Sequence, residues 1–197
     1  MSRGSLFVIS GPSGTGKGTV CAELLKEDNI FLSISATTRD KRIGEEEGIT
    51  YFYRSRDCFE EMIKNGEMLE YAVYGGNYYG TPKKAVCDML DAGKNVILEI
   101  EAQGALKVKE QMPEAVLIFV IPPSIAELRR RLKERARESD EEIEQRISAA
   151  KWEFSQSPKY NYVIVNDDLA ECVGETLGII NATNERQKMV EKLLKEI

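Results

Sequence analysis

Lys17 closes a Gly-x-x-x-x-Gly-Lys pattern within the run Ser10-Gly11-Pro12-Ser13-Gly14-Thr15-Gly16-Lys17-Gly18-Thr19. Gly11, Gly14 and Gly16 let the backbone take φ > 0 and bring its N–H groups close to an anion. An apolar run, Leu6–Ile9, precedes the turn, and a helix-like segment, Val20 to Glu27, follows it. That helix points its positive dipole end and unpaired N–H groups into the same cavity. Lys17 adds a full charge placed to reach the β- and γ-phosphates of a nucleotide. The hydroxyl that usually follows the lysine and meets Mg²⁺ is displaced: Gly18 stands there and Thr19 comes one residue later. Phosphate cradling survives that change, whereas direct ligation of a metal by the protein is put in question.

Further residues able to do chemistry lie downstream. Ser35-Ala-Thr-Thr-Arg39-Asp-Lys-Arg42 carries two arginines three apart. Such guanidinium forks can converge on one phosphate; the alternative is a solvated basic loop. Glu67, Glu70 and the tyrosines of Tyr74-Gly-Gly-Asn-Tyr78-Tyr79-Gly80-Thr81 come next. A carboxylate only accepts, and guanine presents N1–H and N2–H₂ side by side, so a buried Glu can take both. Adenine has no matching pair and would leave that Glu unpaired. Taken alone, tyrosines and glutamates in strands are more often packing and surface residues. Glu99 and Glu101 close an apolar strand at the carboxyl edge where α/β sites lie, facing either Mg²⁺ or a ligand, or simply water. Arg129 to Arg137 and Arg146 carry a heavy positive load. Such charge runs are usually solvated faces with i,i+4 pairs such as Glu127–Arg131; the sharper reading is a lid that closes arginines over transferring phosphates.

The elements that must position these groups alternate. Strands are expected at Phe31–Ala36, Ile49–Arg54, Met68–Tyr74, Asn95–Ile100, Ala115–Ile121 and Tyr160–Val165. Helices are expected at Asp57–Asn65, from Thr81-Pro82 (Thr as N-cap, Pro at N1) to Ala92, at Ala105–Gln111, and after Asp168 to near Ile197. Ser124…Glu127 and Ser139…Glu142 are capping-box patterns that begin two more. Strand–helix alternation implies a parallel sheet with helices on both faces.

Composition narrows the partners. The chain has 197 residues, a net charge of −6 and no histidine. The acidic balance disfavours nucleic acid as the main partner. Cys21, Cys58, Cys87 and Cys172 are scattered without a Cys-x-x-Cys pair, so zinc is not expected, and buried free thiols in a reducing cytoplasm are. No signal peptide and no apolar run near the ~20 residues of a membrane helix is expected, so neither is a membrane partner.

Assembled, these pieces resemble guanylate kinase over essentially the whole chain. The matching motifs are Ser10-Gly-Pro-Ser-Gly-Thr-Gly-Lys17, Thr37-Thr38-Arg39-Asp-Lys-Arg42-Ile-Gly44-Glu45, Gly48-Ile-Thr-Tyr51-Phe52, Gly76-Asn77-Tyr78-Tyr79-Gly80-Thr81, Glu99-Ile-Glu101-Ala-Gln103-Gly104 and Tyr162-Val-Ile-Val-Asn166-Asp167. The resemblance implies an α/β, P-loop nucleoside-monophosphate-kinase-like parallel sheet flanked by helices. It implies a core over 1–32, 84–123 and 152–197, an inserted GMP-binding subdomain over 33–83, and a helical lid over 124–151. By the same resemblance, Gly11, Pro12, Ser13, Gly14, Thr15, Gly16, Lys17, Gly18 and Thr19 hold ATP, with Asn166 near its adenine. Ser35, Arg39, Arg42, Tyr51 and Tyr79 hold the GMP phosphate and its neighbourhood, while Glu70, Thr81 and Glu101 read guanine. Lys17, Arg39, Arg131, Arg135 and Arg146 act on the transferring phosphoryl group. Mg²⁺ is expected mainly on phosphates and water, with Glu99 behind it. Gly18 stands where the family more often has Ser, and Glu101 where it more often has Asp. The implied activity is γ-phosphoryl transfer from ATP to GMP in the cytoplasm. Another small-molecule P-loop kinase and a catalytically inactive guanylate-kinase-like binding module are the alternatives.

Overall fold

Leu6–Ser10 (β1) is buried at every position, as a strand covered on both faces must be. Its side chains alternate. Phe7 and Ile9 join a cluster with Val20, Leu24, Ile97, Ile118, Ile164 and Ile180. Leu6 and Val8 join another with Leu69, Val86, Leu90, Val96, Leu98 and Val108. Two apolar layers therefore sandwich one sheet. The computed structural model describes residues 2–135 and 139–196.

That sheet contains β1, β2 (Ile30–Leu32), β7 (Asn95–Glu99), β8 (Val116–Ile121) and β9 (Tyr162–Val165) in the order β2-β7-β1-β8-β9. Every pairing is parallel. Helices α1 (Lys17–Leu24) and α7 (Leu169–Lys195) cover one face; α3 (Lys83–Asp91) and α4 (Ala102–Gln111) cover the other. The carboxyl ends of β1 and β7 open on the same edge, which puts Gly11 beside Glu99 and Ile100. Gly11 itself is pressed against β8. Its φ is 142°, and a Cβ there would stand 2.2 Å from the Val120 carbonyl oxygen. Gly11→Ala should therefore cost about 2–4 kcal/mol. Calorimetry should show a fall in melting temperature, and an unchanged midpoint would show that this contact does not hold the loop.

A second sheet has the order β4-β3-β6-β5, from β3 (Ala36–Thr37), β4 (Phe52–Tyr53), β5 (Met68–Tyr74) and β6 (Asn77–Pro82). β5 and β6 form an antiparallel hairpin around Gly75-Gly76, both at positive φ. Helix α2 (Arg56–Lys64), capped by Ser55, packs Phe59 against Ala36 and Met68. This sheet is tied to the main core through β5. Leu69 is buried in the α3/α4 layer, and the Gln111 amide donates to the Met68 and Leu69 carbonyls at 3.1 and 2.9 Å. Helices α5 (Ile125–Arg135) and α6 (Asp140–Ser155) pack on each other through Leu128, Leu132, Ile143 and Ala150.

Several local expectations differ from the structure. Phe31–Ala36 is split: β2 ends at Leu32, and β3 belongs to the other sheet. Only Phe52–Tyr53 of Ile49–Arg54 pairs as a strand. Thr81 does not cap α3. Pro82 occupies that position, and Thr81 lies in β6 opposite Glu70, to which its hydroxyl is committed. At Ser124, the Glu127 N–H reaches the hydroxyl at 3.0 Å, but the Glu127 carboxylate turns to Arg130 and Arg131 instead of reaching back. The full box forms at Ser139–Glu142. The four cysteines are free, yet not all are buried, since Cys58 is exposed on α2.

Candidate active site

Between β1 and α1 the chain turns through Gly16, the helix N-cap, at φ 87° and without a side-chain cap. The N–H groups of Lys17 and Gly18 thus stay available to an anion, while that of Thr19 bonds the Gly16 carbonyl at 3.0 Å. Lys17 Nζ donates to the carbonyls of Gly11 (2.5 Å) and Pro12 (2.9 Å), arching its side chain back over the loop. Burial lowers its pKa, while the charges of Glu153, Glu99 and Glu101 pull the other way. Thr15 Oγ1 donates to the Pro12 carbonyl, and both residues are buried. Asn166, buried after β9, donates to the Thr15 carbonyl at 2.8 Å; a Cβ on Gly16 would stand 2.4 Å from its amide nitrogen. Arg146 of α6 donates to Ser13 Oγ at 2.8 Å. A cavity of about 640 Å³ lies against the loop, lined by Gly14, Lys17, Gly18, Glu99, Glu101, Arg146 and Glu153 among others. Thr19 is exposed and outside that lining.

A second cavity, of about 380 Å³, opens between the β5–β6 hairpin and the same sheet edge. Ser35, Tyr51, Glu70, Tyr79, Glu101 and Lys107 line it. Glu70 is 8% exposed, and its Oε1 accepts from Thr81 at 2.7 Å. Burial raises its pKa, with Thr81 and Lys107 opposing. Helix α4 comes close because residue 104 is glycine: a Cβ there would stand 3.0 Å from Glu70 Oε2. Glu101 is the N-cap of α4 and is exposed, its carboxylate not used in capping.

At the open side of this cavity, Tyr51 and Tyr79 meet edge to face with centroids 6.0 Å apart. The Arg39 guanidinium stands 5.7 Å from the Tyr51 ring centre and donates to Glu45 at 2.7 Å. Its side chain is only 14% exposed. Glu45 also accepts from the Arg42 N–H and the Tyr53 hydroxyl. Arg39 first, then those donors, pull the Glu45 carboxyl down to about 2. Glu45 thus fixes the guanidinium that the sequence marked as an anion ligand. Arg42 is different: it joins the cluster through its backbone, and its side chain is exposed.

Glu99, Ile100 and Glu101 line both cavities. One wall therefore separates an anion loop from a pocket floored by a buried carboxylate, the arrangement expected of two ligands meeting end to end. The model of the family described as guanylate kinase matches residues 3–183. The chain belongs to the guanylate kinase family. It is 50% identical to the guanylate kinase of Halalkalibacterium halodurans over 96% of this chain and 94% of that one. It is 48% identical to that of Clostridioides difficile over 100% and 96%. The crystal structure of guanylate kinase from Anaplasma phagocytophilum superposes with a TM-score of 0.71 at 39% identity, covering 92% of this chain and 86% of that one.

Within this guanylate kinase framework, Arg146 reaches the loop, whereas Arg131, held on Glu127 at 2.6 Å, lines neither cavity, and nor do Arg39 and Arg42. The side chain of Arg135 lies outside the described residues. Sequence reasoning missed Glu45 as the partner of Arg39, although it lies in the quoted motif. It also missed Lys107 and Glu153. Only Glu153 carried a signal, being seven residues after Arg146 and so on the same face of α6.

Proposed function

We propose that this chain transfers the γ-phosphoryl group of ATP to GMP, giving ADP and GDP. The shared Glu99–Glu101 wall between the two cavities supports this above all. ATP phosphates take the 11–19 loop and Lys17, with Asn166 toward the adenine side. GMP takes the other cavity, its base against Glu70, Thr81 and Glu101 and its phosphate toward Ser35, Arg39, Arg42, Tyr51 and Tyr79. On this reading 33–83 is the GMP-binding part, 124–151 the lid carrying Arg131, Arg135 and Arg146, and the remainder the core.

The acceptor is a phosphate, largely dianionic above its second pKa of ~6, so no general base is required. That agrees with a chain lacking histidine. What the protein must supply is alignment and positive charge, here from Lys17, Arg39 and Arg146. Mg²⁺ fits the chemistry of the donor set. Gly18 leaves space in front of Glu99, whose Oε1 would stand 3.4 Å from a Cβ at residue 18. Glu99 would hold the ion's water, and the phosphates would supply the direct ligands. Bound there, Mg²⁺ neutralises charge on the β- and γ-phosphates. The acidic net charge supports a reading without nucleic acid, and the four free cysteines support a cytoplasmic one. No helix among the described residues is long and apolar enough to cross a membrane, and the reading includes no membrane partner.

A coupled assay of ADP release with GMP, AMP, UMP and CMP tests this. ATP consumption is expected to depend steeply on GMP and to stay near background with the others. Equal rates with and without GMP would end the reading.

A further inference from the structure

Guanine presents a row of three polar groups along one edge: the N2–H₂ donor, the N1–H donor and the O6 acceptor. The three residues set against the base answer only the first two. Glu70 and Glu101 are carboxylates and, when ionised, accept only. Thr81 has a single hydroxyl hydrogen, and it is spent on Glu70 Oε1 at 2.7 Å. None of the three has a donor left for O6. A carbonyl oxygen brought among carboxylates without a donor is costly to bind.

Lys107 can supply that donor. It follows Gly104 by three residues on one face of α4, and that face lies against β5. Gly104 is where the helix comes nearest to the buried carboxylate, since a Cβ there would stand 3.0 Å from Glu70 Oε2. Lys107 lines the same cavity as Glu70. Its Nζ donates at 3.2 Å to the carbonyl of Tyr71, the residue after Glu70 in β5, and stands 5.1 Å from the Tyr71 ring centre. Carbonyl and ring together hold the ammonium at the cavity wall. An ammonium has three N–H donors, and the Tyr71 carbonyl takes one. The cavity thus has an acceptor from one element and a donor from the next, the complement of guanine's edge.

We propose that Lys107 is a specificity-determining residue that reads the 6-oxo group of the acceptor base, donating to O6 while Glu70 accepts from N1–H and N2–H₂. This rests on the kinase reading above and names the atom of the base that α4 recognises. A charge-assisted hydrogen bond is roughly twice as strong as a neutral one, and it is directional. Adenine carries an amino group at position 6, so its donor would face the ammonium, and the contact that favours guanine opposes adenine.

Lys107→Met keeps the stem over Tyr71 and removes the charge and the donors. Lys107 is half-buried on the surface of α4, so the variant should fold. The two proteins are compared with GMP and with 6-thioguanosine monophosphate, which keeps N1–H and N2–H₂ but has sulfur, a weak acceptor, in place of O6. Titration calorimetry without ATP is expected to show the variant binding GMP about ten-fold more weakly and the thio analogue within about two-fold of the unsubstituted protein. The preference for GMP over the analogue should therefore fall by close to the whole of that factor. A lysine that merely packs on Tyr71 would weaken both nucleotides alike. A preference unmoved by the substitution would overturn the proposal and give O6 to another donor, such as the leading N–H groups of α4. The two readings fail separately: no binding of GMP by the unsubstituted protein ends the kinase reading, whereas GMP binding with an unmoved preference ends only the assignment of Lys107.

Discussion

Lys17→Met is expected to lower kcat by about 10³-fold with little change in folding stability. The methionine retains the length and apolar stem of the lysine, so the loop keeps its packing. Two hydrogen bonds, to the Gly11 and Pro12 carbonyls, are lost. Each is worth about 1 kcal/mol net, and relief from burying an ammonium offsets part of that. The rate has no such compensation. The loop's N–H groups still receive the triphosphate in the ground state, but no mobile charge follows the γ-phosphoryl group as its bonds change. The Kd for ATP should therefore rise far less than kcat falls. Rapid-quench single turnovers separate this from slow product release, and near-normal turnover would refute the assignment of Lys17 to the chemical step.

The parts of this site that were legible in the sequence are those where a local pattern and its structural context coincide. The glycine turn is one: an apolar run that could only be a buried strand leads into it, and a helix leads out. The parallel sheet is another, since Asn95–Glu99 and Val116–Ile121 are near-continuous apolar runs. Where tertiary contacts set the outcome, local signals misled. Thr81 has the residue type and neighbour of an N-cap, but the β5–β6 register places it opposite Glu70, and a buried carboxylate without a donor outweighs a helix end that water can reach. The run from Phe31 has strand composition throughout, yet the chain must leave one sheet and enter the other, so it breaks after Leu32. The Glu127–Arg131 pair, by contrast, was legible from its i,i+4 spacing, and it forms. Glu153 shares a helix face with Arg146, seven residues earlier, but that spacing does not say what the face meets. Only the fold shows that its face looks into the loop.

Glu70→Gln is expected to raise KM for GMP about 10²-fold while leaving KM for ATP within about two-fold. Guanine's N1–H and N2–H₂ are two adjacent donors, and an ionised Glu70 meets both with acceptors. The amide of Gln keeps one acceptor and sets an NH₂ group against a donor. Thr81 can still donate to the remaining oxygen, so the variant should fold. Adenine, with an acceptor at N1 and a donor at N6, matches the amide better, and the preference for GMP over AMP should shrink accordingly. Acid should act on the unsubstituted protein in the same sense. Burial raises the Glu70 pKa, so as pH falls Glu70 takes up its proton earlier than an exposed carboxylate at ~4.3 would. A protonated Glu70 offers a hydroxyl donor where guanine needs an acceptor, and KM for GMP should climb on acidification. GMP's own phosphate titrates at ~6 and contributes a second rise. The two are separable because only the phosphate's rise survives in Glu70→Gln. Identical profiles for the two proteins would place the guanine edge somewhere other than Glu70.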